Sequence, residues 1–250
     1  TAYTGGLNLS DEYINKKIKY GYWKDNAIKL QGNSVWNLTI MFLSLWNSYK
    51  KEDKDYLKFK TTDNLKIKPN GYLSAYASVP INGVLEGEDV YLNIINKATK
   101  YVYIITPYLI IDTDMINSII LAFKRGVDVR IVIPGIPDKK IVYDLTMSYV
   151  KNLVDAGIKV YTYTPGFIHS KIFVSDDNKA TVGTINLDYR SLYLHFENGV
   201  YLEDVKEIED ILNDVNNILT ESHLLTKKET NYNIFRKIWQ SILRFFAPLF

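Results

Sequence analysis

Apolar positions in this chain follow two periods, and the alternation between them lays out an α/β order. Trp36, Ile40, Leu43 and Trp46 recur at helical spacing behind Asn33, which can cap the first turn. That stripe predicts a core-facing helix over 33–49. Residues 22–30 before it read as a strand ending at Gly32. Further on, the pattern predicts a helix over 88–98, a strand over 101–106, a helix from the Asp112 cap to Lys124 and a strand over 127–133. A helix over 137–155, closed by Gly157, and a strand over 160–163 follow. Strands at 167–174, 180–185 and 193–202, then a helix over 205–219, complete the order. Such alternation predicts a largely parallel central sheet with helices on both faces. The charged run 50–60 reads as a solvated loop. Residues 61–87, with Pro69, Gly71, Pro80, Gly83 and Gly87, read as a linker.

Composition narrows the class. A hydrophobic fraction of 47% against 23% charged indicates a packed globular chain, long enough at 250 residues to bury a sizeable core. A net charge of +2 argues against a strongly electrostatic nucleic-acid binder. Cysteine is absent, so disulfides and thiolate metal sites are excluded. No Cys/His cluster or H-E-x-x-H occurs, so no metal and no cofactor is implied. No secretory leader pattern and no apolar run of transmembrane length is evident.

The chemistry concentrates in FIHSKIFVSDD and the turn after it. His169, Lys171, Asp176, Gly183, Thr184 and Asn186 spell H-x-K-x4-D-x6-G-T-x-N. On a strand, His169 and Lys171 share a face. An ammonium group offsets phosphate charge, while a neutral imidazole can attack phosphorus or carry a proton. Asn186 can donate to a non-bridging oxygen. Asp176, directly after the apolar run, reads as a turn cap or a partner for a cation.

This spacing resembles the signature of the phospholipase D superfamily. The stretches TGGLNLSDEYIN, GYWKD, ITPYLI, RGVDVRIVIPGIPDKK and GTINLDYRS are, more narrowly, similar to bacterial cardiolipin synthases. The resemblance implies a phospholipase D-like α-β-α sandwich with a mixed, largely parallel sheet. It implies His169, Lys171 and Asp176 as the catalytic motif, with Asn186 and Thr184 at the phosphate. Glu197 stands where the family keeps a carboxylate that orients the catalytic histidine, and His195 beside it is not required by the pattern. Tyr108 and Tyr149 look like pocket-lining aromatics.

A partial second copy lies upstream. Aligning Gly5 with Gly183 pairs Asn8 with Asn186 and Leu9 with Leu187, at a separation of 178 residues. Gly6 falls on the Thr184 position and brings no hydroxyl. Asp25 looks like the carboxylate that would orient a first-copy histidine. By the spacing, that first H-x-K-x4-D would precede Thr1, so the expectation is the C-terminal portion of a longer protein. Residues 1–75 would be the remnant of the first half, 76–222 the complete second half and 223–250 a basic amphipathic tail. In that tail, Ile234, Phe235, Ile238, Trp239, Ile242, Leu243 and Phe246 fall on one helical face, and Arg236, Lys237 and Arg244 carry charge without any acid. Such a helix suits an anionic membrane surface.

The resemblance therefore implies phosphatidyl transfer between two phosphatidylglycerol molecules, giving cardiolipin and glycerol, at a bacterial cell membrane. Anchor helices would lie in the part before Thr1. Two other readings stay open: a single-motif nuclease or phosphodiesterase that completes its site as a homodimer, and a membrane-binding module without activity.

Overall fold

The computed structural model describes residues 1–50, 55–61, 70–80 and 83–250. Three short strands open the chain: β1 (Ala2–Gly5), β2 (Tyr22–Lys24) and β3 (Ala27–Leu30). Helix α1 (Ser34–Lys50) leads to β4 (Tyr72–Ser78) and α2 (Glu86–Lys97). Strands and helices then alternate through β5 (Tyr101–Ile105), α3 (Thr113–Lys124), β6 (Asp128–Pro134), α4 (Lys140–Ala156) and β7 (Lys159–Tyr163). β8 (Gly166–Ile168), β9 (Ile172–Ser175), β10 (Lys179–Gly183) and β11 (Glu197–Glu203) follow. The chain closes with α5 (Glu207–Thr220), β12 (Ser222–Leu224) and α6 (Ile234–Phe245).

The main sheet has eight strands in the order β12-β7-β6-β5-β9-β10-β11-β4. It is mixed, as expected, but its parallel part is confined to β5-β6-β7, where α3 and α4 make the crossovers. The rest is antiparallel, with β9 and β10 joined by the short turn 176–178. Alternation along the strands feeds two cores. Ile104, Ile131 and Phe173 face α2, α3 and α4, while Ile105, Val132, Ile172 and Val174 face α1 and α5. The result is three layers, α/β/α.

Several sequence expectations shift. The proposed linker contains β4, a sheet edge paired with β11 over the whole run Tyr72–Ser78; its residues 62–69 and 81–82 lie outside the described residues. In the charged run, 51–54 lie outside them too, and Tyr56–Phe59 form a 3-10 turn capped by Asp55. The α1 stripe is only half a core: Leu43 is buried but Trp46 is exposed. β12 joins the main sheet through β7, so the tail begins after a sheet strand and not before it.

The strand expected over 22–30 breaks at Asp25–Asn26, and the motif strand breaks at His169–Lys171. These breaks build the site. β2 pairs in parallel with β8, Trp23 opposite Phe167 and Lys24 opposite Ile168, so the next residues, Asp25 and His169, emerge side by side.

Candidate active site

His169 sits between β8 and β9 with its backbone N–H donating to the Lys24 carbonyl at 2.7 Å. Its Nδ1 lies 2.7 Å from Oδ2 of Asp25, a carboxylate only 2% exposed and 144 residues away in sequence. That contact suits a protonated Nδ1 donating to the carboxylate. Lys171 Nζ stands 2.8 Å from Nδ1 and 2.9 Å from Nε2 and also donates to the His169 carbonyl. The cation and the imidazole thus occupy one hollow.

Aromatic rings wall it. Tyr13 meets the imidazole edge-on at 5.1 Å between centroids, Trp23 lies at 5.4 Å and Phe167 at 6.0 Å. Burial in these walls holds His169 below its usual range, with Asp25 opposing and Lys171 reinforcing that shift. Burial also pushes the Lys171 ammonium down to about 7, against the pull of Asp25, Glu197 and Asp188. In both groups desolvation outweighs the pull of the nearby carboxylates. A phosphate between them would stabilise their charged forms.

The carboxylate roles differ from the sequence expectation. Asp25, not Glu197, orients His169, because strand pairing places it there. Glu197 instead takes a hydrogen bond from the Thr184 hydroxyl, and His195 Nδ1 stands 3.5 Å from it. Burial raises the Glu197 carboxyl. The Thr184 hydroxyl thus donates to Glu197 and accepts from the Asn198 backbone N–H.

The internal repeat explains the pair. Gly5 lies opposite Ala27 and Gly183 opposite Gly199 in matching antiparallel registers. In each copy the carboxylate, Asp25 or Glu197, precedes the partner residue by two. A Cβ on Gly6 would come within 2.2 Å of Asp25 Oδ1. Glycine therefore replaces the Thr184 equivalent because the shorter aspartate fills that space. Thr4 Oγ1, hydrogen-bonded at 2.5 Å to Asn198 Oδ1, ties the two copies together.

Asn186 donates Nδ2 to Ser191 at 3.0 Å, and its buried Oδ1 has no hydrogen-bond partner. Asn8 donates to the Tyr13 hydroxyl at 3.0 Å, so it supports the ring over His169. Asp176, by contrast, is no catalytic group here. It turns away to accept from the Thr99 N–H and hydroxyl and from the Lys100 and Tyr101 N–H groups, at 2.7–3.0 Å. With a positive φ of 54°, it is a turn that ties β9 to the start of β5. Tyr108 does line a cavity, with Phe167, Tyr143 and Asp138, and donates to Asp138 at 2.6 Å. Tyr149 is buried beneath Arg244 instead. Sequence reasoning missed the ring wall of Tyr13, Trp23 and Phe167. The density of aromatics over 13–23 was the available signal. Among the described residues no three His, Asp or Glu side chains converge as a metal site.

Residues 91–219 match the family described as cardiolipin synthase, phospholipase D-like domain. The chain belongs to that family. Among cardiolipin synthase relatives, cardiolipin synthase 2 of Bacillus anthracis is 34% identical across 99% of this chain and 48% of its own length. An uncharacterized protein of Streptococcus mutans is 45% identical across 99% of this chain and 54% of its own. The chain spans about half the length of the curated relatives it matches. The crystal structure of phosphatidylserine synthase from Haemophilus influenzae superposes with a TM-score of 0.69 over 99% of this chain and 66% of that one, at 16% identity. That likeness establishes the phospholipase D-like fold of this cardiolipin synthase family member.

Proposed function

We propose that this chain supplies one half of the site of a cardiolipin synthase, which transfers a phosphatidyl group between two phosphatidylglycerol molecules. The observation that carries the reading is the buried Asp25–His169–Lys171 cluster, an oriented imidazole in contact with a buried lysine. The names of the relatives supply the substrate class.

One histidine attacks phosphorus of the first lipid. The bond from phosphorus to the glycerol oxygen breaks, and a second histidine protonates the departing glycerol. That second histidine then takes the proton from the primary hydroxyl of another phosphatidylglycerol, whose oxygen attacks phosphorus and displaces the first histidine. Cardiolipin leaves. His169 suits the acid/base role, since Asp25 stabilises the protonated form that donates to the departing glycerol and re-forms when the primary hydroxyl is deprotonated. Lys171 and Asn186 hold the non-bridging oxygens. The aromatic wall keeps water away from His169, the base that would otherwise activate it against the phosphohistidine.

Only one H-x-K occurs in the 250 residues. The attacking histidine therefore comes from a second motif copy, and Glu197, the repeat equivalent of Asp25, would orient it. The chain alone is expected to be inactive. Supplied with a second H-x-K copy in one polypeptide, it should convert phosphatidylglycerol to cardiolipin and glycerol, read by lipid mass spectrometry, and leave DNA intact. His169→Asn should keep the circular dichroism spectrum and abolish conversion. Consumption of DNA with phosphatidylglycerol untouched, or robust transfer by the chain alone, would overturn the proposal.

A further inference from the structure

Helix α6 is mounted with its polar side inward. Asn233 caps it, and Arg236, Gln240, Leu243, Arg244 and Ala247 recur on the face that packs on α4. Arg236 reaches Asp144 at 2.5 Å and stacks on Tyr232. Gln240 donates to the Asp144 carbonyl at 3.1 Å. Arg244 donates to the hydroxyl and carbonyl of Ser148 at 2.9 and 2.7 Å and lies over the Tyr149 ring. This corrects the sequence expectation: two of the three tail cations are engaged within the protein, and Leu243 belongs to the core.

What faces outward is apolar. Phe235 and Phe245 are 80% and 81% exposed, and Ile238, Trp239, Ile242 and Phe246 lie exposed between them. Soluble surfaces seldom keep such a stripe bare. The stripe is one helix wide and 12 residues long, about 18 Å. A lipid monolayer needs no matching surface and accepts a narrow amphipathic face lying in its plane.

Position supports the same occupant. Arg236 and Tyr232 grip the first turns of α4, where Tyr143 lines a small cavity with Tyr108, Asp138 and Phe167, and Phe167 in turn packs on the His169 ring. Ile136 and Ile141, which flank the cavity-lining segment 137–139 in sequence, are exposed, as are Lys139 and Lys140. We infer that the outward face of α6 inserts into the lipid surface as a preformed hydrophobic foot, which holds the mouth of the site against the layer that supplies its substrate. The inference rests on the lipid-transfer reading. Its driving force is burial of rings and aliphatic chains, with the surface lysines secondary.

The test is vesicle flotation of the chain with phosphatidylcholine alone and with added phosphatidylglycerol, at low salt and at about 0.5 M, where screening leaves a range of roughly 4 Å. Binding to phosphatidylcholine that survives high salt is expected. Trp239 fluorescence should be quenched by lipids brominated in the acyl chain, and Trp239→Phe should remove that quenching. Phe235→Ser with Phe245→Ser should reduce partitioning roughly tenfold or more with an unchanged circular dichroism melt, since both rings are already in solvent. Binding that requires anionic lipid and vanishes at high salt would overturn the inference. So would unchanged binding of the double variant, or lipid-free dimerisation that the double variant abolishes. Binding is read without turnover. Failure of docking with phosphatidylglycerol transfer intact removes only the foot, and the converse removes only the lipid-transfer reading.

Discussion

Lys171→Met should make the unliganded protein more stable and useless. The ammonium is 3% exposed, and burial lowers it from 10.5 to about 7. At 1.36 kcal/mol per pH unit, keeping it protonated in the fold costs on the order of 5 kcal/mol at or below pH 7. Methionine fills nearly the same volume without charge. It also removes the hydrogen bond to the His169 carbonyl, and an orphaned buried acceptor costs about 1–3 kcal/mol. The balance is a gain of roughly 2–4 kcal/mol, or about 5–10 °C in melting temperature for a chain of this size. The sign of the pH dependence follows from linkage. Between pH 7 and 10.5 the unfolded chain holds the Lys171 proton more tightly than the folded one, so wild-type stability rises with pH. The advantage of Lys171→Met should therefore be largest at pH 6–7 and fade toward pH 10. Chemical denaturation of both proteins across that range reads it directly. In the same variant the His169 imidazole, freed of a neighbouring cation, should titrate higher by NMR. A variant less stable than wild type at pH 6, or a difference flat from pH 7 to 10, would show that the buried cation is not strained.

Two further substitutions separate chemistry from scaffold. Asp25→Asn preserves shape but removes the charge that stabilises imidazolium; in an active two-motif polypeptide kcat should fall about 10²–10⁴-fold with KM little changed, and a matching rise in KM would point to a binding role. Asp176→Ala removes four hydrogen bonds and should lower stability by about 2–3 kcal/mol in denaturant titrations. Those hydrogen bonds hold the Asp176 carboxyl below its usual value, so the loss should be full above about pH 4 and shrink as the pH falls further.

Much of the architecture is written locally. The Asp112 side chain caps α3 through the Met115 N–H, Gly157 ends α4 in the left-handed region, and the βαβ run follows its hydrophobic period. The motif likewise announces His169 and Lys171. What stays illegible is pairing between distant segments. Nothing in the pattern over 22–25 says that β2 will lie along β8, so the exchange of roles between Asp25 and Glu197 cannot be read from spacing. β4 is hidden because its short alternation sits among glycines and prolines that favour turns. The helix α6 shows a third limit. Its binary pattern marks an apolar face, but the fit of Arg236, Gln240 and Arg244 onto α4 decides which face turns inward.

The seam between β2 and β8 has a consequence for anyone cutting or transplanting this fold. The stretch that matches the family, 91–219, includes the imidazole but not Asp25. Excised along that boundary, it would carry a histidine with no counter-ion and an open strand edge where Trp23 had lain. Hybrids with the relatives should therefore be joined upstream of Tyr22, so that the borrowed piece arrives with its own aspartate.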